Sequence, residues 1–377
     1  MRILVVSHEY PPVGGGGARI IEDLCRGLAE QGHELVVLTT HLGDLSLEEE
    51  ANGVKVIRLR CGRKVPYRAR FSEMVRYVFA SLIKGWQVIK LWRPDLMHVH
   101  FAVPAGASTM VLSKVTDVPY VLTAHLGDVP GGAPEKTDRW FRWIYPFTPS
   151  IWESAARVVA VSEYTRQLAL KHYPVDIRVI HNGFDLQDLK PEKIKIGDPP
   201  NVVWAGRFVP DKNPVQVVRT LAGLRDLDWN CVMLGDGPDR LQVKAEIKRY
   251  DLDDRIELPG WTSQEEVMAC FAKSDVLFMP SFSEGLPIVG LQALVLGLAI
   301  VATRVGGFVE LVDPGINGYL VEDAVGNGFS DPLSELLSNP EKLLSFRKAS
   351  IKIADQFDIR QIVQSYNELF REIGSAN

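Results

Sequence analysis

Along the first half of the chain, short apolar runs alternate with stretches whose apolar residues recur every three or four positions. RILVVS (2–7), ELVVLTT (34–40), VKVIRLR (54–60), LMHVH (96–100), YVLTAH (120–125), RVVAVS (157–162) and IRVIHNG (177–183) predict strands. Helices are predicted at 18–31, near 105–116, near 138–153 and at 163–172. Residues 70–91 keep the helical period best, with Phe71, Met74, Val75, Val78, Phe79, Leu82, Ile83 and Trp86 apolar. The pattern lapses in a polar, proline-bearing stretch, and 186–200 reads as a linker. It restarts with NVVWAGR (201–207), NCVMLG (230–235), RIELPG (255–260), DVLFMPS (275–281), AIVAT (299–303) and GYLVE (318–322). Strand–helix alternation in both halves predicts an α/β protein with two doubly wound parallel sheets. The domains expected are 1–185 and 201–357, followed by a last helical segment, 358–377. Ligands of such sheets sit off the carboxyl ends of the strands, so the loops that follow strands carry the candidate chemistry.

Length and composition agree with this picture. A chain of 377 residues is long for one core. With 46% hydrophobic and 24% charged residues and a formal net charge of −5, nothing global points to nucleic acid as a partner. Cys25, Cys61, Cys231 and Cys270 are scattered without metal or redox spacing, which suggests a reducing compartment. No signal-peptide pattern and no membrane-spanning run is legible, so a cytoplasmic location is expected. Charge is uneven, however. Residues 55–93 hold eleven basic side chains against one acid, Glu73. With Tyr67, Phe71, Trp86 and Trp92 among them, this segment suggests peripheral contact with an anionic membrane face. The competing reading is that the apolar stripe of 70–91 packs on the sheet. A second apolar patch, 139–152, suggests a cover for an acceptor cleft or a partner surface.

Four post-strand loops stand out. Gly14, Gly15, Gly16 and Gly17 precede a predicted helix, where backbone N–H groups can approach a phosphate. The dinucleotide fingerprint fits poorly, because the glycines stand seven residues past the strand and no acid ends strand two. Arg207 and Lys212 follow the first strand of the second domain, a placement that suits a diphosphate. In PSFSEGLPIVGLQAL, Pro287 suits a first helical position, which leaves the Ile288 and Val289 N–H groups free. Glu284 and Gln292, eight residues apart, would then lie about 12 Å apart along a helix and grip two ends of one ligand. The bland alternatives are a helix-dipole role for Glu284 and solvent for Gln292. His125 and Asp128 follow a strand in LTAHLGD, and a lone histidine there is more often structural. His98 and His100 share a strand face and suggest packing or hydrogen bonding. The two DLD triplets, 226–228 and 251–253, read as turn and cap residues, and no histidine–carboxylate set has metal spacing.

Taken in order, GGGGARIIEDLCRGLAEQGHELVVLT, RPDLMHVH, TAHLGD, VSEYTR, VIHNGFD, AGRFVPDKNP, LGDGPDR and PSFSEGLP…GLQAL resemble the retaining GT-B glycosyltransferases of family 4. The resemblance covers nearly the whole chain. It implies two Rossmann-like domains facing a cleft, with the C-terminal helix crossing back to the first. It also implies a UDP- or GDP-linked sugar as substrate, held mainly by the second domain, and a hydroxyl acceptor on the first. No resident cofactor or metal is implied. Carried over by position, Arg207 and Lys212 bind the donor diphosphate, joined by the Ile288 and Val289 amides. Glu284 holds sugar hydroxyls, His125 contacts the sugar, and Leu286 and Trp261 border the donor. Gly15 and Gly16 touch the donor, while Gly17 and Asp128 lie on the acceptor side. Gln292 departs from the family pattern, which has an acid there to grip the ribose, and Pro287 stands where many relatives have Gly. A nucleotide-sugar epimerase or hydrolase, or a non-catalytic nucleotide-sugar-binding subunit, would share these features.

Overall fold

Each apolar run forms a strand, and the polar stretch Glu48–Ala51 adds one that its pattern does not announce. The computed structural model describes residues 1–66, 69–132, 141–186, 189, 191 and 193–374. The chain divides into two units, Met1–Asp185 with Asp358–Asn377, and Leu186–Phe357. Tyr67, Arg68, residues 133–140 (the last three of them the start of the helix expected at 138–153), residues 187, 188, 190 and 192 of the expected linker, and residues 375–377 lie outside the described residues.

The first unit holds β1 (Arg2–Val6), β2 (Glu34–Leu42), β3 (Glu48–Ala51), β4 (Val54–Arg63), β5 (Leu96–His100), β6 (Tyr120–Ala124), β7 (Arg157–Ala160) and β8 (Ile177–Val179). They lie in the order β3-β4-β2-β1-β5-β6-β7-β8, and every pairing is parallel except β3 with β4. Strand β3 reads EEEA and lacks apolar alternation, so pairing with β4 makes it a strand. Its glutamates meet cations: Glu48 pairs with Lys55 and Lys84, and Glu49 with Arg58. An acidic edge of this kind discourages pairing with other chains.

Successive strand residues point to opposite faces, which explains the near-continuous apolar runs of a sheet covered on both sides. On one face Leu4, Val6, Leu38, Met97 and Leu122 meet Tyr77, Val88 and Ile89. On the other, Ile3, Val5, Leu35 and Val37 meet Leu24 and Leu28 of helix α1 (Gly16–Glu30). Ile362, Val363, Tyr366 and Phe370 join that second core, so the C-terminal helix Ile359–Gly374 belongs to the first unit.

Helix α2 (Phe71–Trp92) turns an unexpected face to the sheet. Its buried residues are Glu73, Tyr77, Ser81, Gly85, Val88 and Ile89, and the Tyr77 hydroxyl donates to the Leu38 carbonyl. Ser81 and Gly85 make the middle of this face small, which admits close packing against helix α3 (Ala107–Thr116), where Leu112 lies next to Gly85. The larger stripe is left outside: Phe79 and Ile83 are 63% and 65% exposed, and Phe71, Val75 and Trp86 are exposed beside them. The reading in which this stripe packs on the sheet holds only for its edge, where Leu82 packs on the core and Met74 and Val78 are half-buried.

The second unit holds β9 (Asn201–Ala205), β10 (Asn230–Leu234), β11 (Ile256–Gly260), β12 (Val276–Met279), β13 (Ala299–Thr303) and β14 (Gly318–Val321). They run parallel in the order β11-β10-β9-β12-β13-β14, which reverses direction between β9 and β12. The first sheet reverses between β1 and β5. Within the expected linker, the described residues nearest β9 are fastened to the second unit. The buried Asp275 carboxylate accepts from the Gly197 and Asn201 N–H groups and pairs with Arg347, which also donates to the Lys195 carbonyl.

Candidate active site

In the second unit, the loops after β9 and β12 emerge at the sheet's reversal point, where doubly wound sheets bind ligands. Arg207 lies two residues past β9. Its loop rests on the loop after β10, because the Phe208 N–H donates to the Asp236 carbonyl at 3.0 Å. Lys212 ends the short turn Pro210–Lys212. Its Nζ lies 2.6 Å from Oε2 of Glu284 and 3.4 Å from the Ser283 carbonyl. The other Glu284 oxygen accepts from the Ser281 hydroxyl at 2.9 Å. Residues expected on diphosphate and on sugar thus form one ion pair, with Glu284 buried and Lys212 half-buried. An ammonium has three N–H donors, so Lys212 keeps one for an anion.

The backbone around Glu284 is held by Gly306 and Gly307, which sequence reasoning did not single out. Gly306 has φ +54, and a Cβ there would overlap the Glu284 carbonyl, while the Gly307 N–H donates to the Gly285 carbonyl. The adjacent glycine pair just past β13, at the carboxyl edge of the sheet, was the available signal.

Pro287 corrects an expectation. It is extended (φ −73, ψ 122) and caps the helix Ile288–Val295 rather than occupying its first turn. Glu284 therefore stands on a loop, and the 12 Å axial spacing to Gln292 does not apply. The Ile288 and Val289 N–H groups still open the helix without intrahelical acceptors. Gln292 is 1% exposed, so the solvent-facing reading fails, and its buried Nε2 has no hydrogen-bond partner. Leu286 is buried, and Trp261, just past β11, is 64% exposed.

In the first unit the four glycines divide their work. Gly15 caps α1, so Gly16 and Gly17 already lie in the helix, which begins two residues before the expected start. Gly14 has φ +117, and a Cβ there would stand 2.7 Å from that of Ala18. Only glycine tolerates that backbone easily. A Cβ on Gly15 would meet nothing within 4 Å, and one on Gly17 would lie 3.6 Å from the Phe101 ring.

His125 follows β6, and its N–H donates to the Asp128 carboxylate at 2.8 Å. Buried Asp128 thus braces the turn that carries His125. The imidazole stacks on Phe101, with ring centroids 4.3 Å apart. Burial first, and then the neighbouring His8, push its pKa down to about 3, so it is neutral at ordinary pH. Phe101 has φ 72, a conformation costly for a bulky residue, and its ring lies between Gly17 and His125. Its sequence position after β5 gave no sign of this role. The DLD residues lie in turns, as expected, with Asp251 left-handed just after the helix Arg240–Arg249.

Two family models match end to end: Glycosyltransferase Family 4 over residues 14–188, and Glycosyl transferases group 1 over 187–353. The chain is a family 4 glycosyltransferase. It is 26% identical over 373 residues to an uncharacterized glycosyltransferase of Methanocaldococcus jannaschii, covering 99% of both chains. Its fold is GT-B. The sucrose-phosphate synthase structure from Thermosynechococcus elongatus matches with TM-score 0.86 at 21% identity, over 100% of both chains. Anabaena HepE in complex with UDP-glucose matches with TM-score 0.77 at 18% identity, over 99% of this chain and 100% of that one.

Proposed function

We propose that this transferase moves a hexose-type sugar from a nucleoside diphosphate sugar, UDP- or GDP-linked, to a hydroxyl acceptor with retention of anomeric configuration. The observation that carries the reading is the cluster at the second sheet's reversal point. There two adjacent loops and one helix start carry the Lys212–Glu284 pair, the open amides of Ile288 and Val289 and the unpartnered Nε2 of Gln292. UDP-glucose in the HepE structure supports a nucleotide-sugar donor. In this reading Arg207, Lys212 and the two amides stabilise the charge that develops on the leaving diphosphate. Glu284 accepts from sugar hydroxyls, and Gln292 and Trp261 meet the nucleoside. A donor phosphate oxygen takes the acceptor proton as the new bond forms on the same face, without a metal ion. A panel of UDP-, GDP- and ADP-sugars tests this by thermal stabilisation and nucleoside diphosphate release. One donor should stabilise the protein and release diphosphate only when a hydroxyl acceptor is present, with or without EDTA. Consumption without acceptor would indicate a hydrolase or epimerase, and binding without release a non-catalytic subunit.

The exposed ridge of α2 supports a second element of this reading: an acceptor carried at an anionic, cytoplasmic membrane face. Phe71, Val75, Phe79, Ile83 and Trp86 stand outside the core beside exposed Arg70, Arg76, Lys90 and Arg93. Apolar residues rimmed by cations suit the headgroup boundary of an anionic bilayer. Lys55, Arg58 and Lys84 contribute less, because β3 acids pair with them. Among the described residues no helix is long and apolar enough to cross a membrane, so the contact proposed is peripheral. The protein should co-sediment with anionic vesicles at low salt and not with neutral ones. Phe79→Glu with Ile83→Glu should abolish this without lowering the unfolding temperature, and wild-type protein left in the supernatant at low salt would end the idea.

A further inference from the structure

Three loops of the first unit meet on one side chain, Phe101. It follows β5 directly and is half-buried. Its backbone has φ 72 and ψ 118, a combination open to glycine and unfavourable for a residue with a Cβ. Both of its backbone groups are tied. The N–H donates to the Thr123 carbonyl of β6 at 3.2 Å, and the carbonyl accepts from the Gly106 N–H at 3.1 Å. A backbone pinned on both sides holds a conformation that a free one would leave. A glycine would carry no strain at this point, so the feature that the strain sustains is the ring.

The neighbours of the ring show what it does. It lies on the His125 imidazole, with centroids 4.3 Å apart and planes 25° from parallel. The His8 ring, from the loop after β1, meets it edge-on at 4.9 Å. A Cβ on Gly17 would stand 3.6 Å from the Phe101 Cζ, so the far end of the ring reaches the first turn of α1. The imidazole has a second constraint. It accepts from the Asp128 N–H, while the Asp128 carboxylate accepts from the His125 N–H at 2.8 Å. His100 stands at its edge, with Nδ1 3.4 Å from Nε2 of His125, too far to grip it firmly. A hydrogen bond in the imidazole plane fixes one nitrogen and leaves the ring free to tilt about that bond. A flat partner against the ring face removes the tilt.

We propose that Phe101 is a positioning residue: its ring, held on a strained backbone, clamps the face of the His125 imidazole and sets the plane in which His125 meets the transferred sugar. The clamp stands on the stacking geometry, and its use in catalysis rests on the sugar transfer proposed above.

The test is a double-mutant cycle on turnover, with the unfolding temperature and the His125 ring-proton shifts measured for each variant. Phe101→Gly removes the ring and accepts φ 72, so it should stay folded. It should lower kcat by about tenfold to a hundredfold, the effect of a misaligned group, with donor KM within about threefold. Phe101→Tyr keeps the flat face and should stay within about twofold of wild type. Phe101→Leu keeps apolar bulk without the face and should lose as much as Phe101→Gly. Added to His125→Ala, Phe101→Gly should lower kcat no further, because the ring acts through the imidazole. In wild type the ring current of Phe101 should move the His125 ring protons upfield of those of free histidine, and Phe101→Gly should remove that displacement. Full activity in Phe101→Leu overturns the clamp in favour of plain packing. Losses that multiply in the cycle overturn it in favour of a contact made by Phe101 itself. A wild-type spectrum without the displacement overturns it even if no variant folds. If His125→Ala turns over like wild type, the sugar contact of His125 fails, and a displacement lost with the ring still upholds the clamp.

Discussion

Gln292 holds a buried side-chain nitrogen with no protein partner, in the second turn of the helix that opens at the candidate donor site. A carboxylate there would accept charged hydrogen bonds, worth roughly 1.5–3 kcal/mol against 0.5–1.5 for neutral ones. Gln292→Glu should therefore tighten the nucleotide-sugar donor by up to about tenfold in a titration. It should also lower the unfolding temperature of the ligand-free protein, because an ionised group without a partner is costly to bury. Unchanged or weaker donor binding would remove Gln292 from the donor site. The glycines offer a sharper separation of fold from function. Gly14→Ala meets both an unfavourable φ and the Ala18 side chain, so it should lose stability. Gly15→Ala enters open space and should unfold within about 2 °C of wild type. If Gly15 touches ligand, that variant loses turnover alone; full activity would make the loop structural only.

At the scale of elements, the histidines of β5 carry a pH dependence whose sign is fixed. The folded pKa of His98 is depressed from 6.5 to about 3, so below pH 6.5 the unfolded chain takes up a proton that the folded one refuses. Its contribution is complete above that pH and is lost on acidification, at about 1.4 kcal/mol per pH unit until the folded pKa is reached. The downward shifts of His100 and His125 act in the same direction. His98→Gln retains a polar group toward Thr123 without titrating. It should make the urea midpoint of the first unit fall less between pH 7 and pH 5, and an identical fall would show that other groups dominate. Helix α2 shows what periodicity supplies at this scale. The 3.6-residue repeat was legible over 70–91 and the helix is there, yet the largest apolar side chains lie on its outer face. Periodicity identifies a helix; it does not rank two faces when a ridge of Tyr77, Ser81 and Gly85 packs closer than one of Phe and Ile.

For the whole molecule, the apolar runs by themselves determined an α/β chain with two parallel sheets, because strands covered on both faces leave long runs of Val, Ile and Leu. They also marked which loops follow strands, and so pointed to Arg207, Lys212, Glu284 and His125. Strand β3 escaped, since its pairing with β4 rests on backbone hydrogen bonds and ion pairs that leave no apolar trace. Strand order was likewise decided only by tertiary structure: the reversal between β9 and β12 is what brings Lys212 against Glu284 from 72 residues away. So too were the burial of Gln292 and the Phe101 ring beside His125. Local sequence fixes periodicity and turn chemistry, which act over a few residues. Which charges meet, which polar atoms are sealed from water and which face of a helix stays wet depend on contacts that exist only once distant segments have packed.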